Sequence, residues 1–219
     1  MLTVQDLKNS QEISTFLKIA EKQIEVLGYT EHSFRHVSLV SNTAGDILEQ
    51  LGFGEGEVEL ARMAGYLHDI GNAINREDHA HSGAIMAYNL LVKLGMDYME
   101  AGEIMLAIGN HDEHTGTAVS SISAALILAD KSDVHRSRVR NTDFATFDIH
   151  DRVNYAVEKS SLKVDRETKT AVLELVIDTK ICPVMDYFEI FLTRMTMNRR
   201  AASFLGLNFQ LVINGTRLL

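Results

Sequence analysis

The sequence predicts a mainly α-helical protein with a small α+β appendage at its C-terminal end. Over about residues 5–159, apolar residues recur at the i, i+4 and i+7 spacing of helices that bury one face. From about residue 160 the period changes, and apolar and polar residues alternate as they do in strands. We therefore expect a helical domain over residues 1–159 and an α+β appendage over residues 160–219.

Composition and charge limit the function. The 219 residues are 46% hydrophobic and 23% charged, which is typical of a soluble globular protein. A net charge of −9 argues against broad binding to nucleic acid or to an anionic membrane. No apolar run approaches the ~20 residues of a membrane span, and the N-terminus does not resemble a secretory signal, so we expect a cytoplasmic protein. The single cysteine, Cys182, excludes an internal disulfide and a cysteine-built zinc site.

The helices of the predicted body have recognisable ends. Thr3 and Asp6 have the spacing of a capping box, which starts a first helix over about residues 5–27. Asp78 and Asp97 are placed to cap two later helices. The further helices are expected over about residues 34–51, 58–71, 79–94, 99–110, 120–138 and 148–159.

The appendage is predicted to have a ββαβ order. Residues 162–164 and 170–177 indicate a β-hairpin, and the second of these stretches alternates through Ala171, Leu173, Leu175 and Ile177. Pro183 opens a helix, and residues 208–214 form the last predicted strand. A sheet this small is expected to pack on the helical body or on a partner subunit.

Histidines and aspartates stand where several apolar helix stripes end. His36 shares its face with apolar residues of its helix, and His68 ends another apolar row with Asp69 beside it. His111 and Asp130 end two further stripes. An isolated buried imidazole or carboxylate costs several kcal/mol, so we expect these groups to meet one another or a cation. They are candidate metal ligands rather than separate core histidines and helix caps.

Other candidates are less sharply defined. His79 falls in the first turn of its helix, and we favour it as a ligand over His81, which points to another side. Asp112 is a second candidate in the loop after the 99–110 helix. Glu113 and His114 either support the site or are solvated.

A basic run follows the last candidate ligand. Lys131, His135 and Arg138 share one face of a continuing helix, and they either bind a substrate phosphate or form a solvated face. Arg35 is either a substrate contact or a surface charge. His32 is either an entrance residue or a surface histidine.

The ligand order resembles that of the HD superfamily of metal-dependent phosphohydrolases over about residues 30–140. The residues that carry the resemblance are His36, His68-Asp69, His79, His111-Asp112 and Asp130. It implies an HD-domain helical bundle in which one divalent ion is held by His36, His68, Asp69 and Asp130. It implies a second ion held by His79, His111 and Asp112, with Asp69 as the bridge. The ligand set does not choose among Fe, Mn, Ni, Zn and Mg for these one or two ions.

Within the superfamily the pattern is similar to that of cyclic-dinucleotide phosphodiesterases, but it departs from the HD-GYP subgroup. Asn72 replaces a lysine, Asp112 replaces a second histidine, and no Gly-Tyr-Pro follows Gly116. These departures argue against cyclic di-GMP as the substrate.

The function expected from these residues is hydrolysis of a phosphate ester of a nucleotide or related small molecule, as a phosphomonoesterase or a phosphodiesterase. A metal-bound hydroxide would attack phosphorus, with Asp69 as ligand and bridge. Lys131 or a nearby arginine would neutralise the developing charge, and His114, His81 or solvent would protonate the leaving oxygen.

Two alternatives remain open. One is a mixed-valence di-iron oxygenase on the same fold, because the ligand set is nearly shared. The other is a non-catalytic nucleotide-sensing module. The partner expected in each phosphate-based case is a small phosphorylated molecule, and a homodimer is also left open.

Overall fold

The computed structural model describes residues 2–31 and 33–218. This part of the chain is mainly helical with a small C-terminal sheet, so the predicted fold class is confirmed. The helices are α1 (Val4–Asn9), α2 (Gln11–Val26), α3 (Phe34–Leu51), α4 (Glu55–Leu67), α5 (His79–Lys93), α6 (Tyr98–Gly109), α7 (Ser121–Ser132), α8 (Ile149–Ala156) and α9 (Val184–Phe204). The strands are β1 (Val157–Asp165), β2 (Thr170–Ile177), β3 (Asn208–Ile213) and β4 (Thr216–Arg217).

The body is built on helices α3 to α7. α3 packs against α4 and α7, while α5 packs against α6. The faces that meet carry buried side chains such as Val40, Met63, Ile104 and Leu126. This packing follows the predicted stripes, because one apolar face on each helix has to be removed from water. No helix in the described ranges is both long and apolar enough to cross a membrane.

The prediction of a single helix over residues 5–27 is wrong, because Ser10 divides this stretch into two helices. Ser10 has an extended backbone, ends α1, and begins α2 by accepting a hydrogen bond from the backbone N–H of Ile13. The capping box of Thr3 and Asp6 at the start of α1 is confirmed. A serine is favoured at such a start because its side-chain oxygen satisfies an N–H that has no partner within the helix.

The helix predicted over residues 58–71 ends earlier than expected. α4 stops at Leu67, and a 3-10 helix follows at Ile70–Ala73, so His68 and Asp69 lie in the turn between them. Asp78 precedes α5 as predicted, but its backbone is left-handed with φ 56° and its side chain makes no capping hydrogen bond. Asp97 does cap α6, because its side chain accepts hydrogen bonds from the backbone N–H groups of Met99 and Glu100.

The helix predicted over residues 120–138 is also too long. α7 ends at Ser132, and Asp133 leaves the helical region with ψ 79° before a separate 3-10 turn at Arg136–Arg138. Lys131 is therefore the only member of the predicted basic face that lies in α7. The prediction that Lys131, His135 and Arg138 share a helix face is wrong.

The predicted appendage contains a sheet with strand order β1-β2-β3-β4. β1 and β2 form the predicted antiparallel hairpin, β2 and β3 are parallel with α9 between them in sequence, and β4 adds an antiparallel edge. The alternation in β2 is confirmed, since Ala171, Leu173, Leu175 and Ile177 are buried. The helix predicted to reach residue 159 ends at Ala156 because Val157 already pairs in β1.

The sheet and α9 share one apolar core with the helical body. α9 packs against α7 on one side and against β2 and β3 on the other. Tyr187 and Phe191 of α9 are almost fully buried in this core. The domain boundary between residues 159 and 160 stays a prediction. The packing of α9 on α7 places α9 close to the end of the body where α7 terminates.

Gly71 marks a close approach that brings two parts of the body together. A Cβ atom at this position would overlap the backbone oxygen of His79 and the backbone nitrogen of Gly83. The 3-10 helix therefore lies directly against the first turns of α5. This contact places His79 beside the turn that carries Asp69.

We expect Gly71→Ala to destabilise the protein by about 1–3 kcal/mol or more, because the backbones cannot make room for a methyl group without shifting. Thermal unfolding would measure the loss. Gly102→Ala is the matched control, since a Cβ there meets nothing within 4 Å and α6 should gain about 0.5–1 kcal/mol. Equal melting temperatures for the two variants would contradict this account of the contact.

Candidate metal centre

Four buried histidines from different elements meet at one end of the helical body. His36 lies in the first turn of α3, His68 follows α4, His79 begins α5 and His111 follows α6. In the order His36, His68, His111 and His79, each ring centroid is 5.1 Å from the next. The structure thus brings together the four histidines that the sequence analysis selected.

Three of these rings are held by the same local hydrogen bond. The Nδ1 atoms of His68, His79 and His111 donate to the backbone carbonyl three residues earlier, at 2.8, 3.1 and 2.6 Å. A carbonyl only accepts, so each Nδ1 carries the proton and each Nε2 keeps its lone pair. Burial lowers the pKa of His79 and of His111, and neutral imidazole is the form that binds metal.

His36 is held by a carboxylate instead. Its Nδ1 lies 2.7 Å from Oδ2 of Asp133, and its Nε2 lies 3.2 Å from Nε2 of His68. Burial opposes ionisation of Asp133, but Arg138 and His36 hold its pKa well below the ordinary value. Such a carboxylate fixes the ring and makes its other nitrogen a stronger ligand. Asp133 was not among the residues predicted from the sequence, and its spacing of three residues after Asp130 was the available signal.

Asp69 faces two sides of the histidine group. Its Oδ2 lies 3.3 Å from Nε2 of His68 and 3.6 Å from Nε2 of His36, whereas its Oδ1 lies 3.7 Å from Nε2 of His79. Asn72 donates to Oδ1 at 2.8 Å and so fixes the carboxylate plane. One carboxylate with oxygens directed to different ligand pairs has the arrangement that a bridging ligand needs.

Asp130 also has separate partners for its two oxygens. Its Oδ1 lies 3.3 Å from Nε2 of His36 and 3.7 Å from Nε2 of His68. Its Oδ2 pairs with Nζ of Lys131 at 2.7 Å, and the same Nζ lies 2.7 Å from Oε2 of Glu113. Burial opposes the charge on Lys131, but these two carboxylates raise the pKa of the lysine. Lys131 is therefore a buried, doubly paired cation rather than an exposed one.

The ligand atoms fit divalent metal ions. Within residues 2–31 and 33–218, two groups of three have ligand atoms within 4.8 Å of one another, namely His36, His68 and Asp130, and His68, Asp69 and His111. Metal bonds of about 2.1 Å place neighbouring ligand atoms roughly 3–3.5 Å apart, which is close to the separations above. Burial opposes protonation of His68, whereas Asp69 and Asp130 raise its pKa, so a proton competes with a metal ion for Nε2 of this ring.

A cavity of about 900 Å³ opens beside His79. It is also lined by Asp112, whose Oδ1 accepts from the backbone N–H of His114 at 2.9 Å, and by His114 itself. Asp112 belongs to neither group of three, so its role as a ligand stays a prediction. His81 reaches the cavity rim, with 54% of its side chain exposed and Asp78 at 3.4 Å.

The predicted phosphate-binding residues lie elsewhere, except for Lys131 at the metal centre. Arg138 is buried and donates to the backbone oxygens of Asp133 and Glu31. Arg35 pairs with the side chains of these same two acidic residues. His135 has Nδ1 2.9 Å from the hydroxyl of Ser137 and Nε2 3.1 Å from a backbone oxygen of β1.

These three side chains hold the segment after α7 in place, and they are absent from the cavity lining. The arginines that line the cavity are Arg76 and Arg194, which the sequence analysis did not select. Arg194 is distant in sequence and no helix periodicity connects it to the site. His32 lies outside the described residues.

Residues 33–135 match the family model of the HD domain. The chain therefore contains a segment that is similar to the HD domain. An uncharacterized protein of Methanocaldococcus jannaschii is 27% identical to it over 199 residues, which cover 80% of this chain and 76% of the relative. Ribonuclease Y 1 of Pediococcus pentosaceus is 32% identical over 105 residues, and ribonuclease Y of Listeria welshimeri is 35% identical over 101 residues.

These ribonuclease matches cover 48% and 46% of this chain but 18% of each relative, so the similarity is confined to a minor part of the ribonucleases. Among solved structures, this chain is similar to a predicted HD superfamily hydrolase from an uncultured Thermotogales bacterium. The two share 25% identity with a TM-score of 0.44, over 61% of this chain and 75% of the other.

We expect Asp133→Asn to weaken metal binding by about 10–100-fold, because the ring of His36 loses the charged partner that orients it. Titration of Mn²⁺ followed by calorimetry would measure the affinity. Asp46→Asn is the control, since Asp46 is 55% exposed and pairs with Arg62 at the surface. An unchanged affinity in Asp133→Asn would show that His36 does not depend on this carboxylate to bind metal.

His79 and His81 should differ in their effect on metal content. We expect His79→Ala to lower bound metal by about one ion per chain, because its Nε2 points to Asp69 and its ring contacts that of His111. His81→Ala should leave the metal content unchanged. Elemental analysis after dialysis would compare the variants, and loss of metal in His81→Ala alone would reverse the assignment.

Proposed function

We propose that the protein is a metal-dependent phosphohydrolase that cleaves a phosphate ester of a nucleotide or a related small molecule. The observation that carries this proposal is the convergence of four histidine Nε2 atoms and two carboxylates beside a cavity of about 900 Å³. Such a volume lies in the range of small-molecule sites. The match of residues 33–135 to the HD domain, together with the resemblance of the ligand order to metal-dependent phosphohydrolases of the HD superfamily, supports the reaction class.

The proposed ligands divide between two ions. His36, His68, Asp69 and Asp130 would hold the first ion, and His79, His111 and Asp112 would hold the second, with Asp69 as the bridge. Bound divalent ions would supply a nucleophile, by lowering the pKa of water, and would stabilise charge on a phosphoryl oxygen. The donor set of imidazoles and carboxylates suits Fe, Mn, Ni and Zn, and it admits Mg less readily.

The chain's own residues have separate tasks in this proposal. Asn72 orients Asp69, and Lys131 orients Asp130 through the 2.7 Å ion pair. Because Lys131 already has two carboxylate partners, we assign it to positioning rather than to contact with the substrate. Arg76 lines the cavity with Nη1 3.9 Å from Oδ1 of Asp69, where a guanidinium can neutralise a phosphate oxygen.

Protonation of the leaving oxygen is assigned to a histidine of the cavity. His114 lies in the loop after α6 and lines the cavity, and His81 lines it from α5. An imidazole suits proton transfer near neutral pH because its ordinary pKa is close to that range. His114 is the preferred donor, since it lies in the same loop as His111 and Asp112.

The substrate screen should include both phosphate monoesters and diesters. The ribonuclease relatives are named for cleavage of RNA, so short ribonucleotides join cyclic dinucleotides and nucleotide mono-, di- and triphosphates as candidates. The net charge of −9 argues against long nucleic acids held by overall charge. The di-iron oxygenase alternative would require oxygen-dependent turnover of the iron-loaded protein, and a sensing module would bind a nucleotide without forming product.

We expect Asp69→Ala to remove bound metal and to abolish metal-dependent hydrolysis together, because this carboxylate belongs to both proposed ion sites. Elemental analysis and hydrolysis of bis(p-nitrophenyl) phosphate with Mn²⁺ would measure the two effects. Circular dichroism should show that the helical body is retained at a lower melting temperature. Parent-level hydrolysis by Asp69→Ala would rule out the proposed function.

A further inference from the structure

The C-terminal helix α9 contributes to the cavity beside the metal centre. Phe191 and Arg194 of α9 line this cavity together with His79 and Asp112 of the HD segment. The HD match ends at residue 135, so it assigns no role to α9. Part of the wall that a substrate would meet therefore comes from outside the matched segment.

Arg194 is held in a fixed orientation at this wall. Its Cζ lies 4.5 Å from the ring centroid of Phe191, and its Nε donates to Oε1 of Glu113 at 3.1 Å. Only 21% of its side chain is exposed. Among the described residues, its Nη1 and Nη2 atoms have no hydrogen bond or ion pair. A guanidinium fixed by stacking and by Nε can offer both of these nitrogens to a phosphate.

Ion pairs connect Arg194 to the metal centre. Glu113 pairs with Arg194 through Oε1 and with Lys131 through Oε2, and Lys131 pairs in turn with Asp130. Lys131 is 5% exposed and lies between two carboxylates, whereas Arg194 has a single carboxylate partner among the residues that the structure describes. Of these two cations, Arg194 is the one with donors left for a ligand in the cavity.

The carboxylates in the cavity wall make individually placed cationic donors important for an anionic ligand. Several carboxylates line the cavity, including Glu77, Asp148 and Asp151, so overall charge does not attract an anion. An anionic substrate needs placed donors to be held there. Arg76 and Arg194 line the cavity from the HD segment and from α9, respectively.

We propose that Arg194 binds a phosphate group of the substrate, so that the C-terminal appendage completes the phosphohydrolase site. This inference rests on the proposed function for the reaction that follows binding. The proposed ligand is a phosphate or phosphate ester that receives hydrogen bonds from Nη1 and Nη2 of Arg194. The guanidinium contacts the ligand directly, and Glu113 keeps it in place.

Calorimetric titration of the full-length, Mn²⁺-loaded protein with inorganic phosphate tests the contact. We expect Arg194→Ala to weaken phosphate binding by about tenfold or more, because two charge-assisted donors are lost. Arg194→Gln keeps part of the aliphatic stem and should also weaken phosphate binding. This variant replaces Arg194→Ala if the alanine variant does not fold. Arg200→Ala is the matched control, since Arg200 is exposed on the same helix, and it should bind phosphate as the parent does.

Kinetics with bis(p-nitrophenyl) phosphate separates this inference from the proposed function. If Arg194 binds phosphate, KM should rise more than kcat falls in Arg194→Ala, relative to Arg200→Ala. Unchanged phosphate affinity and unchanged KM in a folded Arg194 variant would overturn the inference while hydrolysis by the parent remained. Phosphate binding that depends on Arg194, without hydrolysis of any monoester or diester of the substrate screen by the parent, would refute the proposed function and support the binding site.

Discussion

The structure depends on the way in which buried imidazoles and carboxylates are satisfied at one end of the helical body. Removing such groups from water is costly unless each polar atom has a partner. Here the Nδ1 atoms of three imidazoles donate to a backbone carbonyl three residues earlier, and Nδ1 of His36 is hydrogen-bonded to Asp133. These bonds leave the Nε2 atoms directed towards one another and towards Asp69 and Asp130. The hydrogen bonds that allow these groups to be buried therefore also direct their remaining ligand atoms to one place.

Helix periodicity predicted the part of this arrangement that lies on regular structure. His36 and Asp130 belong to α3 and α7, and their inward direction follows from the apolar rows that they share. His68 and His111 lie just beyond helix ends, so the rows that precede them were enough to indicate their direction. The appendage was predicted for a similar reason, because β2 alternates strictly and is buried on one side.

Periodicity failed where a helix stopped. Continuing α7 beyond Ser132 placed His135 and Arg138 on a false common face, and it concealed Asp133 as a partner of His36. Arg194 was missed for a different reason. Its place at the cavity results from the packing of α9 on α7, and no local pattern records a contact between residues 81 positions apart.

The hydrogen bonds from Nδ1 to a preceding carbonyl have a dynamic consequence. Gly65 and Ile108 lie in the last turns of α4 and α6, where carbonyls lack the regular i+4 helical partner, although Ile108 also accepts from the backbone N–H of His111 at 3.3 Å. The orientation of the His68 and His111 rings is therefore coupled to the opening and closing of these helix ends. A ligand that fixes the rings would slow the fraying of both helix ends, and amide hydrogen exchange in those turns would report occupancy of the site without reference to turnover.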